Sequence, residues 1–120
     1  MKRIATINVR SRETFVDAGR YDQSGAICIR LSALAEEGYV EPLLTLTFNA
    51  NVQTDLARDE FLVKNWNENE DYVMDVFSSG IFEDTGRSFS IWGRKAPIWR
   101  MKNAEHIPED IPRRRVRKAA

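Results

Sequence analysis

The chain has 120 residues, of which 42% are hydrophobic and 30% are charged. This length and this mixture are typical of one globular domain and exclude a disordered or membrane-embedded chain. The net charge is zero but unevenly distributed, because residues 1–112 carry 13 basic and 18 acidic side chains, whereas the last eight residues carry five basic ones and no acid.

The first half of the chain predicts strands separated by polar segments. Residues 10–25 are polar and contain two glycines, so they are interpreted as a loop or an irregular edge, and residues 32–38 as a short helical turn. Leucine and phenylalanine alternate with β-branched threonine in the most strand-like segment. Period-two alternation predicts strands over 4–9, 26–31 and 39–48.

A fourth strand is predicted over 60–65, and the single helix follows it. Asn67 with Glu70 three residues later resembles a capping box, and Ser79–Gly80 has the composition of a helix end. Three apolar residues between these ends have the spacing of a buried helix face, namely Val73, Val76 and Phe77.

The last part of the chain predicts a turn at 83–87, a strand over 88–92, a turn at 93–95 and a strand over 96–101. The predicted fold class is therefore α+β, a mostly antiparallel sheet of about six strands in the order β-β-β-β-α-β-β, with one helix packed on one face. We expect one domain over 1–102 and an extended or disordered basic tail over 103–120.

The residues that usually carry catalysis are scarce. Cys28 is the only cysteine and lies in an apolar run, which predicts a buried thiol, and His106 is the only histidine. No catalytic or phosphate-binding motif is present, so we expect a protein without catalytic, metal or cofactor sites. An enzyme would need a deep pocket that gathers four scattered side chains, Lys64, Glu83, Asp84 and Arg87.

No segment has the length and hydrophobicity of a membrane span or of a secretory signal. We therefore expect a cytoplasmic protein with no membrane partner. Nothing in the sequence requires an oligomer, and both a monomer and a homodimer are compatible with it.

Two charged surfaces are candidate binding sites. The predicted helix and the turn after it form the acidic candidate for a protein partner, which consists of Glu68, Glu70, Asp71, Asp75, Glu83 and Asp84. The basic tail is the candidate for nucleic acid, since its cations would neutralise phosphates through Arg113, Arg114, Arg115, Arg117 and Lys118. The three tryptophans either close the core under the helix, which we expect, or mark a contact surface, and they are Trp66, Trp92 and Trp99.

Three sequence blocks, at 60–70, 80–87 and 97–100, resemble an uncharacterised domain family of small proteins carried by phages, plasmids and conjugative elements. The resemblance covers residues 26–101, and the chain departs from it at the glycine-containing turn of the last hairpin, residues 91–94, and in the basic tail. It implies an accessory protein of a mobile element in a bacterial host cell. The expected function is binding of a host protein, extending to inhibition of a host defence system. The alternatives are nucleic-acid binding through the tail and a structural or interaction domain of uncharacterised function.

Overall fold

The computed structural model describes residues 1–49 and 56–110. Its strands form two antiparallel sheets, one in the spatial order β1-β2-β3-β4 and the other in the order β5-β7-β6. One α-helix and two short 3₁₀ helices complete the described secondary structure. The elements are β1 (Lys2–Val9), β2 (Arg12–Arg20), β3 (Ile27–Leu34), β4 (Val40–Thr45), β5 (Glu60–Leu62), a 3₁₀ turn (Asn67–Asn69), α1 (Glu70–Ser78), β6 (Phe82–Ile91), β7 (Arg94–Met101) and a second 3₁₀ turn (Ala104–His106).

The predicted mostly antiparallel sheet with one helix is confirmed at the level of class, but the strand count and the single sheet are wrong. The missed strand is β2, which occupies most of the segment interpreted as a loop. Thr14, Val16 and Ala18 alternate inward along it, whereas the intervening positions are partly or fully exposed. The many polar residues of this segment obscure its period-two alternation in the sequence. The segment is a strand because it pairs with β1 and β3, and not because of its local propensity.

The two sheets meet where the chain leaves β4 and β5. Thr47 pairs with Val63 in an isolated antiparallel bridge, and the Lys64 N–H donates to the Leu46 carbonyl at 2.8 Å. Within the second sheet, β5 and β6 both run antiparallel to β7 and are therefore parallel to each other. A crossover is needed between parallel strands, and α1 supplies it.

The main core lies between the sheets and α1. Val76 of α1 is buried in the same cluster as Ile29 of β3 and Trp99 of β7, and Phe61 meets Phe82 edge-on with ring centroids 5.0 Å apart. Each such side chain contributes about 1.5–3 kcal/mol of transfer free energy when fully buried. Cys28 is also buried, as predicted.

A smaller cluster covers the other face of the second sheet. It contains Leu62, Trp66, Ala96 and Ile98, with Phe48 packed against it. Apolar side chains on both sides of the chain are therefore buried here, which explains why residues 61–63 are a continuous apolar run instead of an alternating one.

The helix starts differently from the prediction. Asn67 has φ of 59° and lies in a 3₁₀ turn, and its side chain caps neither helix. Asn69 occupies the N-cap position of α1, but its side chain is buried and donates from Nδ2 to the Thr45 carbonyl at 2.8 Å. The capping-box interpretation is thus wrong, because a tertiary contact replaces the local one. The predicted end is confirmed by Gly80, which follows Ser79 with φ of 84°.

The predicted turn at 83–87 lies inside β6. Its local chemistry is as expected, because Gly86 has φ of 84° and its N–H donates to the Asp84 carboxylate at 2.8 Å. The chain nevertheless continues in the same strand, and the turn becomes an irregularity in the pairing of β6 with β7 between Asp84 and Ser88.

Residues 103–110, the first part of the predicted tail, lie against the body. Ile107 packs on the main core. The Arg20 guanidinium, whose side chain is only 6% exposed, donates to the Pro108 carbonyl at 3.2 Å and lies 3.6 Å from Asp110. The five basic residues at 113–118 lie outside the described residues, so the tail remains a prediction there.

Candidate functional site

Two of the predicted acidic residues bind one arginine. Asp71 and Asp75 are one helical turn apart on α1. Asp75 accepts the Arg10 backbone N–H at 2.7 Å, and the Arg10 guanidinium lies 3.3 Å from Asp71. The same guanidinium lies 5.7 Å from the centroid of the Tyr72 ring. These carboxylates therefore attach α1 to the turn between β1 and β2.

The other predicted acids have separate partners. Glu68 lies 3.5 Å from Lys64, and its own backbone N–H and Lys64 lower the pKa of its carboxyl group. Glu83 on β6 accepts from Arg100 on β7 at 2.8 Å, and this hydrogen bond lowers the pKa of Glu83. Among the described residues, Glu70 forms no ion pair. The six acids therefore fall into two groups. Four lie on α1 or on the 3₁₀ turn before it, and the other two, Glu83 and Asp84, lie on the edge strand β6.

The exposed side of α1 also carries apolar side chains. Met74 is 68% exposed and Phe77 is 38% exposed, although the Phe77 ring still contacts Trp99 with centroids 5.1 Å apart. We call this region the acidic helix surface, which is formed by Glu68, Glu70, Asp71, Met74, Asp75 and Phe77.

The hairpin of β6 and β7 presents a second surface. Ile91 pairs with Arg94, so the turn consists of Trp92 and Gly93 instead of the predicted 93–95. Both residues have positive φ, 52° and 73°, as in a type I′ turn. The Trp92 side chain is 79% exposed, and the nearest ring is that of Phe48, with centroids 6.3 Å apart.

An open cleft of about 500 Å³ lies beside this turn. The Arg94 guanidinium lies over the Trp66 ring, 5.5 Å from its centroid. Neither Arg94 nor Lys95 forms an ion pair with any residue in the described part of the chain. The cleft is lined by Asn65, Trp66, Asn67, Glu70, Arg94 and Lys95.

The three tryptophans do not share one environment. Trp66 and Trp99 are buried in different clusters, as expected for core residues, whereas the expectation of core packing is wrong for Trp92. The only local signal for its exposure is the glycine that follows it. A Trp-Gly pair between two strands is an unusual type I′ turn, because asparagine and glycine normally occupy the first position.

Three of the four residues of a hypothetical catalytic pocket take part in separate ion pairs, and the fourth, Asp84, accepts from the Gly86 N–H instead. Lys64 contacts Glu68, Arg87 contacts the buried Glu60, and Glu83 contacts Arg100. The cleft described above contains none of these residues. In residues 1–49 and 56–110, no group of three His, Cys, Asp or Glu side chains has the arrangement of a metal site. No helix of this part is long and apolar enough to cross a membrane.

No protein-family model, curated protein or solved structure matches this chain. The resemblance to a family of mobile-element proteins therefore stays a prediction, and function has to be argued from the two surfaces.

Proposed function

We propose that this chain is a non-enzymatic accessory protein of a phage, plasmid or conjugative element, and that it binds a host protein in the bacterial cytoplasm through the acidic helix surface. The partner presents a basic patch with an apolar centre. The proposal extends to inhibition. In that case the bound host protein belongs to a defence system, and the acidic helix surface occupies the basic site with which that host protein binds its own ligand.

The observation that carries the proposal is the combination of exposed Met74 and Phe77 with carboxylates on one short helix. Protein interfaces combine an apolar centre with a polar rim, and methionine adapts to irregular partner surfaces. Four acids on this surface face two basic partners, Arg10 and Lys64, so a net negative charge remains. That charge would speed the encounter with a basic protein.

Capture from host lysate by the full chain tests this proposal. The contact variant is Glu70→Lys with Met74→Ala, because neither side chain has an ion-pair role in the described fold. We expect captured partner to fall at least tenfold, as for loss of roughly 1.4 kcal/mol or more of binding free energy. Asp75 is left unchanged, since its substitution would disturb the turn at Arg10.

The matched control changes one acid and one exposed apolar residue elsewhere. Glu36→Lys with Tyr39→Ala alters the end of the β3–β4 hairpin, where Tyr39 is 58% exposed. Capture should be unchanged in this control. If the contact variant and the control retain the same amount of partner, the acidic helix surface is not the interface.

The alternative function is nucleic-acid binding through the basic tail. Zero net charge with five basic residues at the end of the chain supports it. A full-length variant with glutamine at Arg113, Arg114, Arg115, Arg117 and Lys118 tests it. If this variant binds DNA as tightly and with the same salt dependence as the unchanged chain, the tail is not the contact.

A further inference from the structure

Trp92 has a φ of 52°, a backbone conformation that is energetically unfavourable for this residue and that no contact within the described fold explains. Residues with a β-carbon avoid positive φ, and a bulky aromatic ring avoids it more than asparagine does. The Trp92 ring gains little burial in return, since it is 79% exposed. Strained residues of this kind cluster at active sites and at sites that hold a ligand. The turn therefore holds an indole ring in solvent, away from the strands that carry it.

The neighbouring cations are also left available. Most arginines in the described part of the chain lie beside a carboxylate, and Arg3, Arg12, Arg87 and Arg100 each lie within 3.2 Å of a carboxylate oxygen. In contrast, Arg94 and Lys95 have no carboxylate partner among the described residues and are both exposed. Two adjacent cations without counter-ions next to an exposed indole suit an anionic ligand that carries flat rings.

The cleft adds hydrogen-bonding groups on the same side. Asn65 and Asn67 line it, and each amide offers both a donor and an acceptor. Its volume of about 500 Å³ is in the range of sites for small molecules, roughly 300–1,000 Å³. Glu70 is the one carboxylate of the lining and lies at the start of α1. The negative charge of Glu70 repels phosphate at the end of the cleft next to α1, so a phosphate group is expected at the opposite end, beside Arg94 and Lys95.

We infer that the Trp92 turn and the adjoining cleft bind single-stranded nucleic acid. Trp92 stacks on one unpaired base, Arg94 and Lys95 bind the phosphates next to it, and the amides of Asn65 and Asn67 contact the edge of a neighbouring base. Stacking on aromatic side chains together with backbone contacts from cations is the usual mode of single-strand recognition. A duplex is a poor ligand because its base faces are already stacked. This surface adjoins the acidic helix surface proposed for a host protein, and Glu70 belongs to both.

A protein ligand fits the same surface less well. The centre of a protein interface is depleted of lysine, although arginine is enriched there, and Lys95 beside Trp92 would have to lose water without a guaranteed partner. Phosphates supply that partner at regular spacing. Because only two phosphates are contacted, the affinity is expected to fall with salt along a log–log slope of about −1.4.

The experiment uses the full chain, a twelve-nucleotide oligo(dT) and a twelve-base-pair duplex, with binding followed by tryptophan fluorescence and by anisotropy of labelled DNA. The unchanged chain should bind the single strand more tightly than the duplex and should lose tryptophan fluorescence on binding. Trp92→Ala should weaken the binding of oligo(dT) about tenfold, as for removal of one stacked base. Trp92→Phe should retain most of the affinity. Tyr39→Ala, which removes a ring that is 58% exposed from the β3–β4 hairpin, should have no effect.

The cation variant is Arg94→Gln with Lys95→Gln, and its control is Lys2→Gln with Lys102→Gln, two exposed cations without an ion pair in the described part of the chain. Only the first should reduce the salt slope by about 1.4. In the glutamine variant of the tail, the part of the affinity that depends on Trp92 should persist.

Three results would overturn the proposal. One is an oligo(dT) affinity that is the same for Trp92→Ala and Tyr39→Ala. Another is a preference for the duplex, and the third is binding that depends on the tail alone. The first of these results, together with loss of a captured host protein in Trp92→Ala, would reassign the surface to a protein partner. Circular dichroism of each variant verifies that the fold is retained, so that loss of binding is not loss of structure.

Discussion

The turn at Arg10–Ser11 and the turn at Trp92–Gly93 both connect antiparallel strands with two residues, and all four residues have positive φ. The first turn lies on α1. Its N–H and its guanidinium bind Asp75 and Asp71, and the Arg10 cation faces the Tyr72 ring. The second turn extends into solvent with Phe48 as its nearest ring neighbour.

The two turns have the same strained backbone but different surroundings, since the first contacts α1 and the second is exposed. At Arg10 the strained turn donates a hydrogen bond to Asp75 and forms an ion pair with Asp71, so the contact stabilises the fold and fixes α1. At Trp92 the hairpin is attached away from its tip instead, where Arg87 of β6 binds the buried Glu60 of β5. Arg100 binds Glu83 and Thr85 donates to the Ile98 carbonyl at 2.7 Å, which joins the two strands of the hairpin to each other. A hairpin held away from its tip leaves the tip free for a ligand.

The largest expected change in the free energy of unfolding comes from a substitution at Glu60, which binds Arg87 of the β6–β7 hairpin. Burial raises the pKa of Glu60, but hydrogen bonds from Arg87 and from the Ala57 N–H lower it more, so its pKa lies below the ordinary value. Glu60→Gln should lower the free energy of unfolding by about 2 kcal/mol at neutral pH, because a buried partner of Arg87 loses its charge. Urea denaturation measures this loss.

The pH dependence of the same variant gives a second readout. A carboxyl group whose pKa is lowered by folding stabilises the fold above its unfolded pKa, about 4.3 for glutamate, and this contribution disappears as the pH falls through the folded pKa. The difference between Glu60→Gln and the unchanged chain should therefore shrink below about pH 4. Glu83→Gln, which removes an exposed pair, is the control and should differ little at any pH. An equal effect of both substitutions would contradict attachment through Glu60.

An intermediate change in the free energy of unfolding is expected when the contact between α1 and the β1–β2 turn is removed. Asp75→Ala removes the acceptor of the Arg10 N–H and should lower the free energy of unfolding by about 1 kcal/mol. Ser78→Ala, on the exposed side of the same helix, is the matched control and should have little effect. Hydrogen exchange of the Arg10 amide should accelerate in Asp75→Ala alone. Unchanged exchange would show that α1 does not hold this turn.

The smallest effect has the opposite sign. Trp92→Asn places a residue suited to positive φ before Gly93, and relief of strain should contribute about 1 kcal/mol. Loss of the contact with Phe48 should cost about 0.5 kcal/mol, which leaves a net stabilisation of about 0.5 kcal/mol. Thermal unfolding measures the change. A destabilisation of more than about 1 kcal/mol would mean that Trp92 belongs to the fold, and the contrast between the two turns would fail.

Local patterns in the chain were sufficient for most elements. Alternating apolar residues predicted the strands around Ile29 and Leu44, and Gly80 marked the helix end. Helical spacing placed Val76 inward correctly, but it was wrong for Phe77, which is 38% exposed. The turn chemistry at Asp84–Gly86 was also recognised, although its setting within a strand was not. These features depend on residues close together in sequence, whose preferences act before the chain is packed.

The candidate sites were less accessible to sequence reasoning. The acids on α1 were identified as a charged group, but their division among Arg10, Lys64 and Arg100 depends on partners from different elements. Trp92 was grouped with two core tryptophans, since composition cannot distinguish a ring at a hairpin tip from one under a sheet. The register of Ile91 with Arg94 makes that distinction.

The sequence by itself determined that the chain contains antiparallel strands with one helix between them, and that charge is divided between its body and its end, because periodicity, turn residues and charge are local properties. Only the tertiary structure decided that there are two sheets, that β2 is a strand, and that one positive-φ turn is bound by α1 while the other is exposed. The physical reason is that strand pairing, ion pairs and burial join residues far apart in the chain, and no local pattern records which distant residue each one meets.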